Sequence, residues 1–234
     1  MFSLHKAMLV ALALVAISLG AATSAQADPI ITTVGTPNNA SFVSATQYNL
    51  LQFTLGSSYT NVSIAASLVS TAAGRTGTAY LMNQVGPGTT VANQLASNAF
   101  TFAQVANLST SLSYVNLFSG LNLGSGTYFV VFSATNTTTD TGISVNTAAT
   151  YTTAPGVSVG AEQFSAGANL NPAYPPASTF VNSGTGNRFF TVEGTPAGAT
   201  AVPEPATMIL LGTGLAAVTL KARKRRKVDQ GERD

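Results

Sequence analysis

The chain has 234 residues, with ten Lys or Arg, eight Asp or Glu and no Cys, a length that suits one domain plus targeting segments. Most of the basic residues lie near the C-terminus, and residues 28–198 contain only two arginines, Arg75 and Arg188, against four acidic residues. A weakly acidic body without a basic cluster excludes a nucleic-acid partner, and the lack of Cys excludes a disulfide scaffold.

Residues 1–27 have the pattern of a secretory signal peptide. A short polar start precedes an apolar run over residues 7–22, and Ala25 and Ala27 place small side chains at the two positions that signal peptidase recognises. The pattern predicts cleavage by signal peptidase after Ala27, so that the mature chain begins at Asp28. The alternative is an N-terminal anchor that is not cleaved.

Residues 28–198 have the pattern of an all-β ectodomain. Between residues 62 and 68, apolar side chains alternate with smaller or polar ones, which indicates a half-buried strand. Thr127–Phe132 is apolar on both faces and predicts a central strand, which follows a tight turn at Leu123–Gly126. Many short strands without a long amphipathic helix favour an antiparallel β-sandwich of jelly-roll-like type. Further strands are predicted at Asn49–Leu55, Thr78–Met82 and Arg188–Glu193.

One segment of the body fits two patterns. Residues 90–108 contain apolar side chains at helical spacing, but their Thr and Asn content is unfavourable for a helix. The segment therefore stays ambiguous between a helix and a strand.

The body offers few catalytic groups. The single His, His5, lies in the predicted signal peptide, and the body has no Cys and no Lys, so thiol nucleophiles, Ser-His-Asp triads and His-containing zinc sites are excluded there. Asp140, Glu162 and Glu193 could supply the carboxylate pair of a glycosidase. They are better explained as isolated surface acids, or as a partner for one of the two arginines. We therefore expect no enzymatic activity and no cofactor.

Calcium is a further alternative, because Asp140 lies in a loop rich in Thr and Asn oxygens. Calcium sites use several closely spaced oxygen ligands, and the sequence contains no dense Asp and Asn spacing of this kind. We therefore predict no metal site.

Two non-enzymatic roles of the body remain open. A glycan-binding module would hold sugar rings against exposed aromatic side chains, and Tyr174, beside two prolines, is the candidate ligand contact. In a sandwich, however, a tyrosine is commonly half-buried with its hydroxyl hydrogen-bonded. A self-associating adhesive matrix protein is the other alternative, because low charge and many strands permit assembly through strand edges. The tyrosines in or near loop-like sequence, which would be the candidates for stacking against sugar rings, are Tyr59, Tyr80, Tyr151 and Tyr174.

The C-terminal part contains three features in series. A linker over 199–205 ends in Pro-Glu-Pro, which predicts an extended strip, because proline fixes φ and removes a backbone donor. Residues 206–220 predict a short transmembrane helix of roughly 22 Å at ~1.5 Å per residue, which is less than a ~30 Å hydrocarbon core. A basic cluster over 221–227 would stay in the cytoplasm, and residues 228–234 would form a cytoplasmic tail. The basic residues that stop transfer are Lys221, Arg223, Lys224, Arg225, Arg226 and Lys227.

This order of a proline-bearing strip, an apolar segment and a basic cluster resembles the PEP-CTERM sorting signal of Gram-negative bacteria. The resemblance implies that an exosortase, a membrane protease-transferase, recognises the strip, cuts near it and transfers the protein to a surface acceptor. The residues that carry the sorting motif are Val202, Pro203, Glu204, Pro205, Ala206 and Thr207.

The resemblance also implies a role for the protein. We expect a non-catalytic surface or extracellular-matrix protein associated with biofilm, with exopolysaccharide as a possible partner. The chain would be exported across the inner membrane, anchored there transiently by its C-terminal helix, and finally placed on the cell surface or outside the cell.

Overall fold

The computed structural model describes residues 27–184 and 186–198. Within these residues the regular elements are β-strands and short 3₁₀ helices, and there is no α-helix. The strands form two mainly antiparallel sheets whose inward residues share one hydrophobic core. This arrangement confirms the predicted all-β fold and is consistent with a sandwich, whereas the jelly-roll-like type stays a prediction.

The described residues contain sixteen strands. They are β1 (Asp28–Val34), β2 (Asn39–Phe42), β3 (Gln47–Leu55), β4 (Tyr59–Ser70), β5 (Thr76–Met82), β6 (Gln94–Thr101), β7 (Ala103–Gln104), β8 (Tyr114–Leu123), β9 (Gly126–Ala134), β10 (Thr141–Asn146), β11 (Thr150–Thr153), β12 (Val157–Val159), β13 (Gln163–Ala166), β14 (Val181–Asn182), β15 (Asn187–Arg188) and β16 (Phe190–Pro196). The 3₁₀ helices are Val91–Asn93, Gly167–Asn169 and Pro175–Ala177.

The predicted signal peptide, apart from Ala27, and the predicted transmembrane helix lie outside the described residues. Among residues 27–184 and 186–198, no helix has the length and apolar character needed to cross a membrane.

The larger sheet has the strand order β11-β1-β16-β4-β10-β15, with β2 beside β10, and β7 and β8 beside β4. The first and last strands of the body are neighbours in this sheet, with Asp28 opposite Gly194. Asp28, the predicted first residue of the mature chain, is also the first residue of β1.

The smaller sheet has the order β14-β13-β3-β9-β5-β6, with β12 beside β3. Strand β9 lies between β3 and β5, and its consecutive residues Val130, Val131 and Phe132 are all buried. Because successive side chains of a strand point to opposite faces, both faces of β9 are covered. The predicted central strand is therefore confirmed.

The core lies between the sheets and receives side chains from both. Ile64 and Leu68 of β4 reach it from the larger sheet, and Phe53 of β3 and Phe132 of β9 reach it from the smaller one. The ring of Phe100 meets that of Phe132 edge-on, with centroids 6.5 Å apart. Each such fully buried side chain contributes roughly 1.5–3 kcal/mol by leaving water, so the body needs no disulfide to stabilise it.

A tight turn occurs where the glycines predicted one, between β8 and β9. The hydroxyl of Tyr128 donates to the backbone carbonyl of Gly124 at 2.9 Å and closes the turn. Gly126 has φ +152°, a backbone conformation that favours glycine. The turn connects the two sheets, because β8 pairs with β4 of the larger sheet and β9 pairs with β3 of the smaller one.

The structure resolves one open alternative and corrects one prediction of local structure. Residues 90–108 contain a short 3₁₀ helix followed by β6 and β7, so the helical alternative is wrong. The single strand predicted at Arg188–Glu193 is broken at Phe189, because the chain changes partners there. Arg188 pairs with Val145 of β10, whereas the residues from Phe190 onward pair with β4 and β1.

Candidate functional site

A groove lies on the outer face of the smaller sheet, and we call it the tyrosine groove. On β5, Ala79 and Leu81 point into the core, so the intervening Tyr80 points outward. Tyr48 of β3 and Ser133 of β9 lie on the same outer face. The groove has a volume of about 340 Å³. Its other lining residues are Ala45, Thr78, Ala134, Thr135, Pro172, Ala173 and Pro175.

Tyr80 is the centre of three neighbouring phenols. Its ring meets that of Tyr174 edge-on, with centroids 6.1 Å apart. Burial raises the pKa of Tyr48 and of Tyr174, and the nearby phenol of Tyr80 raises both further. Tyr48 and Tyr174 are therefore neutral at physiological pH.

The three hydroxyls differ in their partners. The hydroxyl of Tyr174 lies 3.2 Å from Gln94 Oε1 and 3.4 Å from the Thr90 carbonyl. Within the described part of the chain, no hydrogen bond engages the hydroxyls of Tyr48 and Tyr80. Tyr174 is not among the residues that line the groove, and Tyr48 is only 3% exposed, so Tyr80 is the phenol placed to bond a ligand. No charged residue lines the groove, which suits a neutral, polyhydroxylated molecule.

The other two tyrosines proposed as ligand contacts are placed elsewhere. Tyr59 is 5% exposed and belongs to the core, and the Tyr151 hydroxyl is bonded to Glu162. Both predictions are wrong, because the sequence pattern indicated loops at Tyr59 and Tyr151, whereas both residues lie in strands. Tyr48 was not predicted as a groove residue, although the strand pattern indicates it. Leu51 and Phe53 point inward, and Tyr48 lies an odd number of residues from each, so its side chain points outward.

A second cluster of functional groups surrounds Arg188, which has no solvent exposure. Its Nη1 donates to Glu162 Oε2 at 3.2 Å, and its Nη2 donates to Asn49 Oδ1 at 2.5 Å and to the Gln163 carbonyl at 3.2 Å. The backbone N–H of Arg188 and the hydroxyl of Tyr151 both donate to Glu162 Oε1. Of the two explanations given for Glu162, an isolated surface acid or the partner of an arginine, the structure confirms the second, since its side chain pairs with Arg188 and is only 8% exposed.

The electrostatics of this cluster follow from burial. Burial raises the pKa of Glu162, against the opposing effect of Arg188, and it lowers the pKa of Arg188. Burial and the neighbouring Glu162 raise the pKa of Tyr151 above its ordinary range. These groups are buried and pair with one another. The cluster therefore connects β15 to β3 and to the segment before β13. Its geometry suits a structural role.

The second arginine pairs with the acid that had suggested calcium. Asp140 Oδ2 accepts from Arg75 Nε at 2.8 Å and from Arg75 Nη2 at 2.5 Å. Asp140 Oδ1 accepts from Thr138 Oγ1 at 2.6 Å and from Asn136 Nδ2 at 3.0 Å. Both carboxylate oxygens are therefore occupied by donors. Among residues 27–184 and 186–198, no three His, Cys, Asp or Glu side chains come close enough to hold a metal ion.

The sorting motif Val202–Thr207, the basic cluster over 221–227 and Ala25 lie outside the described residues. Residues 201–226 match the PEP-CTERM protein-sorting motif, which confirms the resemblance noted from the sequence. No curated protein matches the chain. The motif indicates an exported protein that an exosortase sorts to the cell surface or the extracellular space.

Proposed function

We propose that this exosortase substrate delivers a non-catalytic β-body to the cell surface or to an extracellular matrix rich in exopolysaccharide. The observation that carries the proposal is the PEP-CTERM match over residues 201–226. That match includes the Pro-Glu-Pro strip, the apolar segment and most of the basic cluster, in this order.

In this proposal the steps follow the order of the chain. The signal peptide over 1–27 directs export and is removed by signal peptidase, and residues 206–220 then hold the protein in the inner membrane. The basic cluster over 221–227 stays on the cytoplasmic side. The strip over 203–205 presents an extended backbone to the exosortase, because its prolines prevent it from joining a helix. Cleavage there frees the body from its membrane segment.

The pairing of acids in the body supports a non-catalytic role. A glycosidase needs two carboxylates that face a substrate, but Glu162 is enclosed with Arg188, and Asp140 is held by Arg75. Glu193 is exposed on β16. Two of the three candidate acids are therefore paired with arginines.

Replacement of Pro203, Glu204 and Pro205 by alanine tests the sorting step. We expect uncut precursor to accumulate in the membrane, because the extended recognition strip is lost. Pro196→Ala is the matched control, since it removes a nearby proline outside the matched range. If the triple variant is processed and reaches the surface like the parent, the proposal is wrong.

Two further measurements test the same sorting step. Deletion of residues 201–227 should release the body into the medium, because the membrane segment is absent. The intact mass of the exported parent should correspond to a chain that begins at Asp28 and ends near Pro205. A surface form that retains the basic cluster would contradict cleavage by an exosortase.

Glycan binding is a second candidate function, favoured by the tyrosine groove. Its uncharged lining and the unbonded hydroxyl of Tyr80 suit the ring faces and hydroxyls of a neutral polysaccharide. Tyr80→Ala should weaken binding to the producing organism's own exopolysaccharide by about tenfold, or ~1.4 kcal/mol. The control is Tyr114→Ala, which removes a tyrosine that is 40% exposed outside the groove. Equal binding by both variants would exclude the groove as the glycan site.

A further inference from the structure

The two sheets have edges of unequal length. The smaller sheet ends in β14, which has two residues, at one side, and in β6, which has eight, at the other. In the larger sheet, the strand order ends in the four-residue β11 and the two-residue β15, whereas β8 lies along β4 for ten residues. Very short edge strands protect a sheet against pairing with another chain. The long strands β6 and β8 lack this protection.

Strands β6 and β8 lie next to each other at the same side of the body. Asn98 Nδ2 of β6 donates to the Leu117 carbonyl of β8 at 2.8 Å. A groove of about 350 Å³ runs between the strands, with Ser97 on one wall and Asn116 on the other.

Only β6 has the regular backbone that pairing requires. Its residues Ala96–Thr101 keep an unbroken antiparallel register with β5, whereas β8 shifts register three times against β4. Such irregularities disturb an edge and hinder pairing. In an antiparallel strand, every other residue directs its N–H and C=O away from its neighbour. Within the described residues β6 pairs with β5 alone, so its second side is open.

This edge also lacks charge. Residues 76–139, which include β5 to β9, contain no Asp, Glu, Lys or Arg, and β6 contains no Pro. Natural sheets commonly protect an exposed edge with a lysine or a proline. The absence of charge also means that two copies of the edge would not repel each other.

Exposed apolar side chains concentrate beside the same two strands. Among the described residues, seven large hydrophobic side chains are exposed, and four of these lie on β6 or β8 or within three residues before them. Tyr114 pairs with Ser67 of β4, close to where β7 continues from the end of β6, whereas Leu95 lies at the start of β6, so these side chains add apolar surface at both ends of the edge and do not form one patch. The four are Val91, Leu95, Leu112 and Tyr114, with exposures of 68%, 46%, 45% and 40%.

We propose that β6 is a self-association edge, which pairs in antiparallel fashion with β6 of a second copy of this chain and continues the smaller sheet across the contact. A second copy is the partner that fits, because in a two-fold contact the same edge faces itself, with residue i of one copy meeting residue j of the other and j meeting i, and an edge without charge brings no like charges together there. A charged strand from a different protein would meet no opposite charge on this edge. The contact is distinct from the sorting step, so either can fail without the other.

Single cysteines test the contact in the full chain, which contains no Cys of its own. Ser97→Cys and Ala99→Cys place a thiol on exposed positions of β6, and Thr152→Cys on the short edge strand β11 is the matched control. A short bis-maleimide crosslinker joins thiols on opposite or diagonal positions of paired strands. We expect a dimer yield several-fold higher for the β6 positions than for Thr152→Cys.

A charge variant supplies the second measurement. Adding Ala99→Lys to Ser97→Cys should lower the dimer yield to the Thr152→Cys level, because each copy then adds a positive charge to an edge that has no acidic residue to pair with it, while Thr152→Lys should leave it unchanged. Circular dichroism identifies a variant that fails to fold. The proposal is overturned if the β6 positions give no more dimer than Thr152→Cys, if the added lysine has no effect, or if the crosslinked product contains a different protein.

Discussion

Asp28 and Gly194 lie directly opposite each other across the antiparallel pair formed by β1 and β16. The strand that opens the body therefore lies beside the strand that closes it. The residue at the predicted signal-peptidase site is already part of the sheet, since β1 begins at Asp28. Both predicted processing segments are thus connected to neighbouring strands of one sheet.

The first prediction concerns the mature N-terminus, which should be Asp28. Ala27→Phe should block cleavage, because signal peptidase requires a small side chain at this position, and intact mass should show the retained signal peptide. Gln26→Phe is the control, since the intervening position tolerates a large side chain. Normal cleavage of the Ala27→Phe variant at the same bond would contradict the assignment.

The second prediction compares the two arginines of the body. Arg188→Met should lower the free energy of unfolding by about 3–5 kcal/mol, because it leaves the Glu162 carboxylate buried without its positive partner. Arg75→Met should cost about 1 kcal/mol or less, because Arg75 is 35% exposed and Arg188 is fully buried. Urea unfolding measures both. Equal losses would show that Arg188 does not stabilise a buried charge.

The third prediction is that two carboxyl groups give opposite pH dependences. Burial raises the pKa of Glu162, so the native state retains this proton at a pH at which the unfolded chain has lost it. The contribution of Glu162 should be largest below about pH 4.3 and decrease as the pH rises through its native pKa. Thr138 and Arg75 lower the pKa of Asp140. Its contribution should be present above about pH 3.9 and be lost as the pH falls through its native pKa.

Urea unfolding between pH 3 and pH 7 checks these signs. The parent minus Glu162→Gln difference should decrease with rising pH, and the parent minus Asp140→Asn difference should increase. Two slopes of the same sign would be inconsistent with the opposite environments of these groups.

The fourth prediction concerns two glycines. A Cβ on Gly77 would lie 2.5 Å from the Ser133 carbonyl oxygen and 2.6 Å from the ring of Phe100, so Gly77→Ala should destabilise the body by about 1–3 kcal/mol. At Gly124 the nearest atom would be 3.9 Å away, and Gly124→Ala should be nearly neutral. Thermal unfolding of both variants measures this difference. Equal melting temperatures would show that β5 and β9 can shift enough to accommodate the added methyl group.

The sequence predicted the strands well where local pattern determines them. The alternation over residues 62–68 and the apolar run Thr127–Phe132 each follow from which faces are buried, and both lie in strands of the structure. The break at Phe189 could not be predicted, because it depends on a change of partner strand. The partner strands are distant in sequence from this segment. The alternation of side chains within residues 188–193 therefore contains no information about them.

The candidate site was only partly predictable for the same reason. Tyr80 and Tyr174 were identified as aromatic candidates, but the sequence did not show that they meet, since they lie in a strand and in a distant proline-rich segment. The buried pair of Glu162 and Arg188 was one of several possible pairings. Glu162, which directly precedes β13, meets Arg188 beside β3, because β13 pairs with β3 and Arg188 bonds to Asn49 of that strand.

The neutrality of residues 76–139 has a consequence for the environments in which the protein can work. A contact formed by backbone hydrogen bonds and apolar side chains contains no ion pair for dissolved salt to screen. Association through β6 should therefore persist from fresh to brackish water, where a matrix held together by charge would loosen.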